Sequence, residues 1–278
     1  MPVTAMAEEG KEYQYEDVSG TVYISVSNDA KYITSDGAKK GTIMAYVPVD
    51  LAELRKVHLE EYGENGYEQY YFDADGNGKY DVTVLQLFLY VLDRYYSGGA
   101  DELSLEGASQ HMYMKSGFWG HDENLLYYVN GSYPLDASLG PNMGATADAI
   151  PLADGDFIDV TMYKDWSFYS DDAAGFHYFT DASGGITHEY KAEPEKALTI
   201  NYIRVFGDIE EGSVGDPTPS AGSTISYGKE LYGEAEGAVT TDASGKASIT
   251  FSEAGVYYLW ADGEYGVDYE ESIVSSPA

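Results

Sequence analysis

Residues 83–96 read TVLQLFLYVLDRYY, and this run predicts one main helix with strands on either side of it. The apolar side chains that recur at steps of three and four residues are Val84, Phe88, Val91, Leu92 and Tyr95. That spacing places them on one face of a helix. Residues 97–99, SGG, follow directly and supply a C-terminal stop.

The nine residues 73–81, DADGNGKYD, lead into this helix and match the beginning of a calcium-binding loop. Oxygen donors stand at loop positions 1, 3, 5 and 9 and a glycine at position 6, which suits a cation that takes six to eight oxygen ligands. The candidate ligands are Asp73, Asp75, Asn77, Asp81 and the carbonyl oxygen of Lys79. Position 12 is Val84, so another acid or water must complete the shell. The alternative interpretation is an acidic turn with Asp81 as the helix N-cap.

Strand-like runs lie on both sides of the helix. Residues 21–27 and 42–49 are β-branched or aromatic at alternate positions and predict an antiparallel pair. Residues 50–62 begin with capping-box spacing and are the site of a second candidate helix. Runs at 125–131 and 157–163, separated by Gly, Asn and Pro, predict further strands. One helix among strands predicts a β-grasp-like α+β domain.

The pattern changes after residues 189–196, which contain a proline and lack periodicity. Runs at 198–205, 246–251 and 256–261 predict strands without any helical pattern, which fits a small all-β sandwich. The predicted domains are therefore an α+β domain over residues 12–190 and a β-sandwich over residues 196–278.

Residues 1–11 are predicted to be a signal-peptide remnant and a disordered start. Ala5, Met6 and Ala7 form a small-x-small triplet followed at once by acid, as at the end of a secretory signal. An arbitrary unstructured start is the alternative. Residues 271–278 are predicted to be the end of a segment cut from a longer protein.

Two segments resemble a known family. Residues 126–131, LYYVNG, and 147–160, ADAIPLADGDFIDV, are similar to the signature of transcobalamin-like C-terminal domains of bacterial surface proteins. The resemblance covers roughly residues 20–180. It implies a β-grasp-like domain of the soluble-ligand-binding type on a secreted or cell-wall-attached protein. It does not imply cobalamin, because the sequence has neither a helical partner domain nor the Asp-x-His-x-x-Gly cobalamin motif.

Residues 240–261 are similar to immunoglobulin-like modules of bacterial surface proteins, in which such a run forms two successive strands. The resemblance implies an immunoglobulin-like sandwich, and such modules usually act as spacers.

Two predicted loops set aromatic residues beside acids. Trp119 precedes His121 and Asp122, and Trp166 and Tyr169 precede Asp171. Carbohydrate modules use such pairing, because a ring face stacks on sugar C–H groups while carboxylates accept hydroxyl protons. Trp119, Trp166 and Tyr169 are therefore the candidate ligand-binding residues. Closure of the core at strand ends is the alternative role for these rings.

Composition limits the function. The 278 residues carry 15 Lys and Arg against 48 Asp and Glu, a net charge of −33, which repels nucleic acid and anionic membrane surfaces. The absence of cysteine excludes disulfides and thiolate sites. No stretch is apolar enough to span a membrane. No nucleophile elbow, zinc-protease motif or phosphate loop occurs.

We therefore expect a non-enzymatic, extracellular binding or adhesion protein whose partner is an unknown extracellular ligand, a glycan or a surface protein. A carbohydrate-binding module, a binder of a small soluble, corrinoid-like ligand and a structural surface stalk are the alternatives. Calcium is the expected cofactor.

Overall fold

The computed structural model describes residues 14–28, 31–32, 43–59, 71–100, 104–108, 111–115, 124–136, 138–140, 143–163, 175–205, 207–208, 213–214, 217–261 and 273–275. Across these ranges the chain is mostly β, with strands in several sheets and two α-helices. This confirms the mostly-β prediction. The β-grasp and immunoglobulin-like details stay predictions.

The first half of the chain forms a sheet with helices on one face. Its elements are β1 (Thr21–Asn28), β2 (Lys31–Tyr32), β3 (Val47–Asp50), α1 (Leu51–Leu54), α2 (Val84–Tyr95), β4 (Ser104–Ala108), β5 (His111–Lys115), β6 (Asn124–Val129), a 3₁₀ helix (Ala147–Ala149) and β7 (Phe157–Tyr163). The first sheet has the order β2-β1-β7-β6, and β3 also pairs with β1. The β1–β3 pairing is antiparallel, as predicted, and β1 runs parallel to β7. Strands β4 and β5 form a separate hairpin.

Helix α2 is buried on nearly all sides, which goes further than the one apolar face that the periodicity indicates. The buried residues beyond that face are Leu85, Gln86, Leu87 and Leu89. The three leucines belong to one core cluster with alternate residues of β1 and β7, among them Val22, Ile24 and Val160. A helix that is hydrophobic all round belongs in a core.

The start of α2 excludes the prediction that Asp81 caps it. The helix begins at Val84 and its N-cap is Thr83, whose backbone N–H donates to Oε1 of Gln86 at 3.0 Å. The Asp81 carboxylate instead accepts from the N–H of Ala74 at 2.9 Å. The second candidate helix is a single turn, α1, with Asp50 as its N-cap.

Among the described residues, the second half of the chain adds two larger sheets and one two-stranded sheet. Its strands are β8 (Gly175–Thr180), β9 (Ala197–Val205), β10 (Gly207–Asp208), β11 (Ser213–Val214), β12 (Thr218–Pro219), β13 (Thr224–Gly228), β14 (Gly237–Thr240), β15 (Lys246–Thr250), β16 (Tyr258–Ala261) and β17 (Ile273–Ser275). The second sheet has the order β12-β9-β8-β17, with β15 also on β9, and the third sheet has the order β14-β13-β16. Strands β10 and β11 pair with each other.

Strand β8 connects these layers. Phe176 and Tyr178 pack against Leu126 and Tyr128 on the face of the first sheet that α2 does not cover. Phe179, on the opposite face of β8, packs into the core shared with the third sheet. The layers therefore run from α2 through the first and second sheets to the third. Strand β8 precedes residue 190 in sequence, yet it pairs with β9 across the predicted domain boundary.

No helix of the described residues is long and apolar enough to cross a membrane.

Two glycines in turns of the second half differ in how closely other atoms approach them. Gly245 and Gly222 have left-handed φ angles of +71° and +78°. A Cβ on Gly245 would lie 2.5 Å from the carbonyl oxygen of Tyr202, whereas one on Gly222 would meet nothing within 4 Å.

We expect Gly222→Ala to lower the free energy of unfolding by about 1–2 kcal/mol, from backbone strain alone. Gly245→Ala should lower it by roughly 2 kcal/mol more, because the backbone must also move. Urea unfolding of both variants measures the difference, and equal losses would contradict the close approach.

Candidate functional site

A cleft with a volume of about 760 Å³ lies where several parts of the chain meet. The segment before β3 contributes Ile43, Ala45 and Tyr46, and most residues from Phe251 to Leu259 form a further wall. Leu198 of β9 and Leu231 after β13 also line the cleft. The connection between β8 and β9 contributes His188, Glu189, Tyr190, Ala192, Glu193 and Pro194. This volume lies within the range of small-molecule sites. The residues that line the cleft are therefore far apart in sequence.

One wall of the cleft is aromatic. The ring of Tyr46 stacks on the imidazole of His188, with centroids 4.2 Å apart. Phe157 lies 5.2 Å from His188 and stacks on Tyr23 at 5.0 Å. Partial burial lowers the pKa of His188, and Glu189 opposes this only in part. The imidazole is therefore neutral at neutral pH and brings no positive charge to the cleft.

A second group of rings also lines the cleft. Phe251 and Tyr257 have centroids 4.2 Å apart, and the Nζ atom of Lys229 lies 3.3 Å from the centroid of the Tyr257 ring. The Tyr190 hydroxyl donates to the carbonyl oxygen of Thr180 at 2.7 Å. Burial raises the pKa of Tyr190 to about 12, so this hydroxyl stays protonated and its ring stays fixed.

Exposed apolar side chains concentrate at the cleft. Among the described residues five large hydrophobic side chains are exposed, and three of them line it: Ile43 at 45%, Val256 at 74% and Tyr258 at 39%. Scattered exposed apolar residues need no explanation, but a cluster in a concave surface marks an interaction site.

The charged lining residues are acidic, and two lysines lie beside them. Glu189, Glu193 and Glu253 line the cleft, and none of the described lining residues is a lysine or arginine. Glu193 forms an exposed ion pair with Lys196, which neutralises it in part. Lys229, whose Nζ lies against the Tyr257 ring, offsets a further part of this charge. The three glutamates and two neighbouring lysines leave the cleft with a small net negative charge, which disfavours anionic ligands.

A buried polar cluster stands behind the aromatic wall. The backbone N–H of Tyr46 donates to Oγ of Ser25 at 3.0 Å, and Ser25 bonds the Asp159 carboxyl, its partner across β1 and β7. Asp159 is 3% exposed, and burial raises its pKa to about 7 against the smaller opposing effect of Ser25. Tyr46 has a left-handed φ of 46°, so this bond helps to hold an unfavourable backbone conformation at the cleft.

The predicted calcium loop is held by its own hydrogen bonds. Both carboxylate oxygens of Asp73 accept from backbone N–H groups, of Gly76 at 2.8 Å and of Gly78 at 2.9 Å. The side chain of Asp75 accepts from both the backbone and the side-chain nitrogen of Asn77. The side-chain oxygen of Asn77 accepts from the N–H of Lys79 at 2.8 Å.

An acid from elsewhere in the chain lies next to this loop. Oε1 of Glu16 accepts from the Asn77 side chain at 2.6 Å, and its Oε2 lies 3.8 Å from Nζ of Lys79. Val84, at loop position 12, is fully buried in the core and faces away from any ligand role. Among the described residues no three His, Asp or Glu side chains are arranged to hold a metal ion. Calcium binding stays a prediction.

The ligand-binding aromatics that the sequence predicts are two tryptophans and one tyrosine. Trp119, Trp166 and Tyr169 lie outside the described residues.

Sequence reasoning did not identify the cleft. Tyr46 and Tyr258 each occupy an ordinary alternating position in a strand-like run, so no local signal separates them from core residues. The clearest available signal was the run of three acids and a proline at residues 189–195, which reads as a linker.

Sequence reasoning also missed a buried pair of polar side chains in the second half. Oγ of Ser220 lies 3.1 Å from Nδ1 of His177 and 2.7 Å from Oγ of Ser223. Burial, together with the charge of Arg204, lowers the pKa of His177 to about 3. Both Ser220 and His177 are at most 2% exposed, so no substrate reaches them and we assign the pair to packing.

A scan against protein-family models finds no match, and searches of curated proteins and of solved structures likewise find no similar protein. The resemblances therefore depend on the quoted residues.

Asp159 predicts a pH-dependent stability. The folded state keeps this proton up to about pH 7, whereas the unfolded chain loses it near pH 3.8. Stability is therefore lost as the pH rises through this window, by roughly 4 kcal/mol in total. We expect Asp159→Asn to be more stable relative to wild type at pH 8 than at pH 4 by up to that amount, as measured by urea unfolding. A difference between variant and wild type that stays constant with pH would contradict it.

Proposed function

We propose that this chain is a non-enzymatic, secreted or cell-surface binding protein, and that its ligand binds in the cleft between the aromatic wall and strand β16. The observation that carries this proposal is the concentration of exposed apolar side chains in a cleft of about 760 Å³. Exposing apolar surface costs free energy, so an apolar concavity of ligand size points to a partner that covers it.

The construction of the cleft supports binding over a passive spacer role. Its rings are fixed by stacking and by the Tyr190 hydrogen bond, so little side-chain freedom is lost when a ligand binds. A structural stalk requires no such concavity. The resemblance to transcobalamin-like surface domains agrees with a ligand-binding role, and an extracellular, cell-wall-attached location is part of this proposal.

A carbohydrate ligand is the second candidate. The cleft sets Tyr46, Tyr190 and Tyr258 beside Glu189 and Glu253, and sugars use ring faces and carboxylates together. A small corrinoid-like ligand has less support, because it predicts an apolar pocket within the first domain alone, and this cleft includes residues of the second half.

We also propose that residues 73–81 bind calcium. Asp73, Asp75, Asn77, the Lys79 carbonyl and Asp81 are the candidate ligands, and Glu16 is the nearby acid that substitutes for the missing one at position 12. Because the shell is incomplete, we expect affinity in the weak extracellular range of about 10⁻⁴–10⁻³ M. The ion would hold the segment before β1 against the start of α2.

The cleft can be tested by filling it. Ala254 lines the cleft and is exposed, and Ala243 is an exposed alanine in a turn that does not line it. Ligands are first sought for the wild-type chain with a glycan array and a small-molecule thermal-shift screen. For any ligand found, we expect Ala254→Trp to weaken binding by at least about tenfold because the indole occupies its volume, and Ala243→Trp to leave it unchanged. If both variants bind the ligand equally, the cleft is not its binding site. If no screen finds a ligand, the structural-stalk alternative is favoured.

Calcium binding predicts a metal-dependent melting temperature. At about 10 mM calcium, the expected affinity corresponds to roughly 1–3 kcal/mol of added stability. We expect Asp75→Asn to lose this gain, because one anionic ligand disappears, while Asp17→Asn at an exposed site outside the loop keeps it. Calorimetric melting in calcium and in chelator provides the readout. Identical melting of the wild-type chain in both would refute the site.

A further inference from the structure

Strand β16 is an edge strand that borders the cleft. In the third sheet it has one neighbour among the described strands, β13, with Gly228 opposite Tyr258 and Ile225 opposite Ala261. The backbone N–H and C=O groups of an antiparallel strand point alternately to its two sides. Every second residue of β16 therefore directs its backbone groups away from β13, and such an edge is a template for another strand.

The cleft lies at the start of β16. Its lining includes Tyr258 and Leu259, which are consecutive and therefore point to opposite faces of the third sheet. Leu259 belongs to the core between the second and third sheets, whereas Tyr258 is 39% exposed on the outer face. The cleft therefore meets β16 at its first two residues, where an added strand could begin to pair with it.

The surroundings of the edge select the chemistry of its occupant. Apolar side chains flank it, Val256 and Phe251 among them, and the charged lining residues are Glu189, Glu193 and Glu253. An extended segment that alternates basic and apolar residues would place one set of side chains on the rings and the other beside the carboxylates. A second copy of this chain is disfavoured as occupant, because two chains of charge −33 repel each other.

We propose that the ligand is an extended peptide segment of a basic partner protein, which pairs as an additional strand with the edge of β16 that no described strand occupies. This inference rests on the proposed binding function of the cleft and names its ligand class. Main-chain hydrogen bonds to β16 would supply affinity, while the apolar lining and the glutamates would supply specificity.

The test uses the full chain and a defined probe, an end-blocked, fluorescent eight-residue peptide of alternating lysine and valine, followed by fluorescence anisotropy. Two versions of the peptide carry N-methyl groups on alternate amides, one on the odd set and one on the even set. Only one set can face β16. We therefore expect one version to lose at least about tenfold in affinity and the other to bind like the parent, since N-methylation removes donors without changing charge.

Controls separate this pairing from general attraction to an acidic protein. An alternating lysine and glycine peptide of equal charge reports bulk attraction and should bind at least about tenfold more weakly than the valine peptide. The double variant Val256→Ser with Tyr258→Ser should weaken binding of the valine peptide, whereas Leu135→Ser, at an exposed leucine that does not line the cleft, should not.

The outcomes distinguish this inference from the proposed function. Strand addition would be overturned if the two N-methylated peptides lost the same affinity. It would also be overturned if the lysine–glycine peptide bound as tightly as the lysine–valine peptide. Binding of oligosaccharides or small amines that Ala254→Trp abolishes, without peptide binding, would retain the cleft as a ligand site and refute the peptide. If a ligand binds Ala254→Trp and the wild-type chain equally, both the proposed function of the cleft and the peptide inference would be refuted.

Discussion

The burial of both faces of strand β8 is the constraint on which the rest of the structure depends. Phe176 and Tyr178 pack on the first sheet, while Phe179 packs on the third, so one six-residue strand holds three sheets in register. A strand covered on both sides has no solvent face, and moving it by one residue would exchange the two sets of aromatic rings. Gly131 shows how close the layers approach, because a Cβ there would lie 2.8 Å from the Tyr178 ring.

This layering creates the cleft. The chain leaves β8, crosses as residues 188–194 and returns as β9, and the crossing segment forms a wall opposite β16. The first sheet completes the cleft with Tyr46, whose backbone is tied through Ser25 to the buried Asp159 carboxyl. The proposed binding surface therefore depends on elements of all three sheets, and a change of packing at β8 would alter its shape.

Parts of the fold follow from local sequence and parts do not. Helix α2 was predictable because its apolar spacing and its Ser97 to Gly99 stop are local signals, and the β1–β3 pairing follows from alternation on both sides of a turn. The parallel pairing of β1 with β7 joins residues more than a hundred positions apart, which no local pattern encodes. Thr83, and not Asp81, is the N-cap of α2. In the folded loop the Asp81 carboxylate accepts a hydrogen bond from the N–H of Ala74, a contact that local sequence does not predict.

The sequence by itself determined a mostly-β chain with one long helix, a strongly acidic surface and an oxygen-rich loop at residues 73–81, because periodicity, composition and motif spacing are properties of neighbouring residues. Only the tertiary structure decided that side chains from the segments 43–46, 188–194 and 251–259 meet in one cleft and that β16, which has one neighbour among the described strands, borders it. The physical reason is that a cleft is made by side chains that are distant in sequence. Their convergence depends on how the sheets stack, which is decided by burial on both faces of β8.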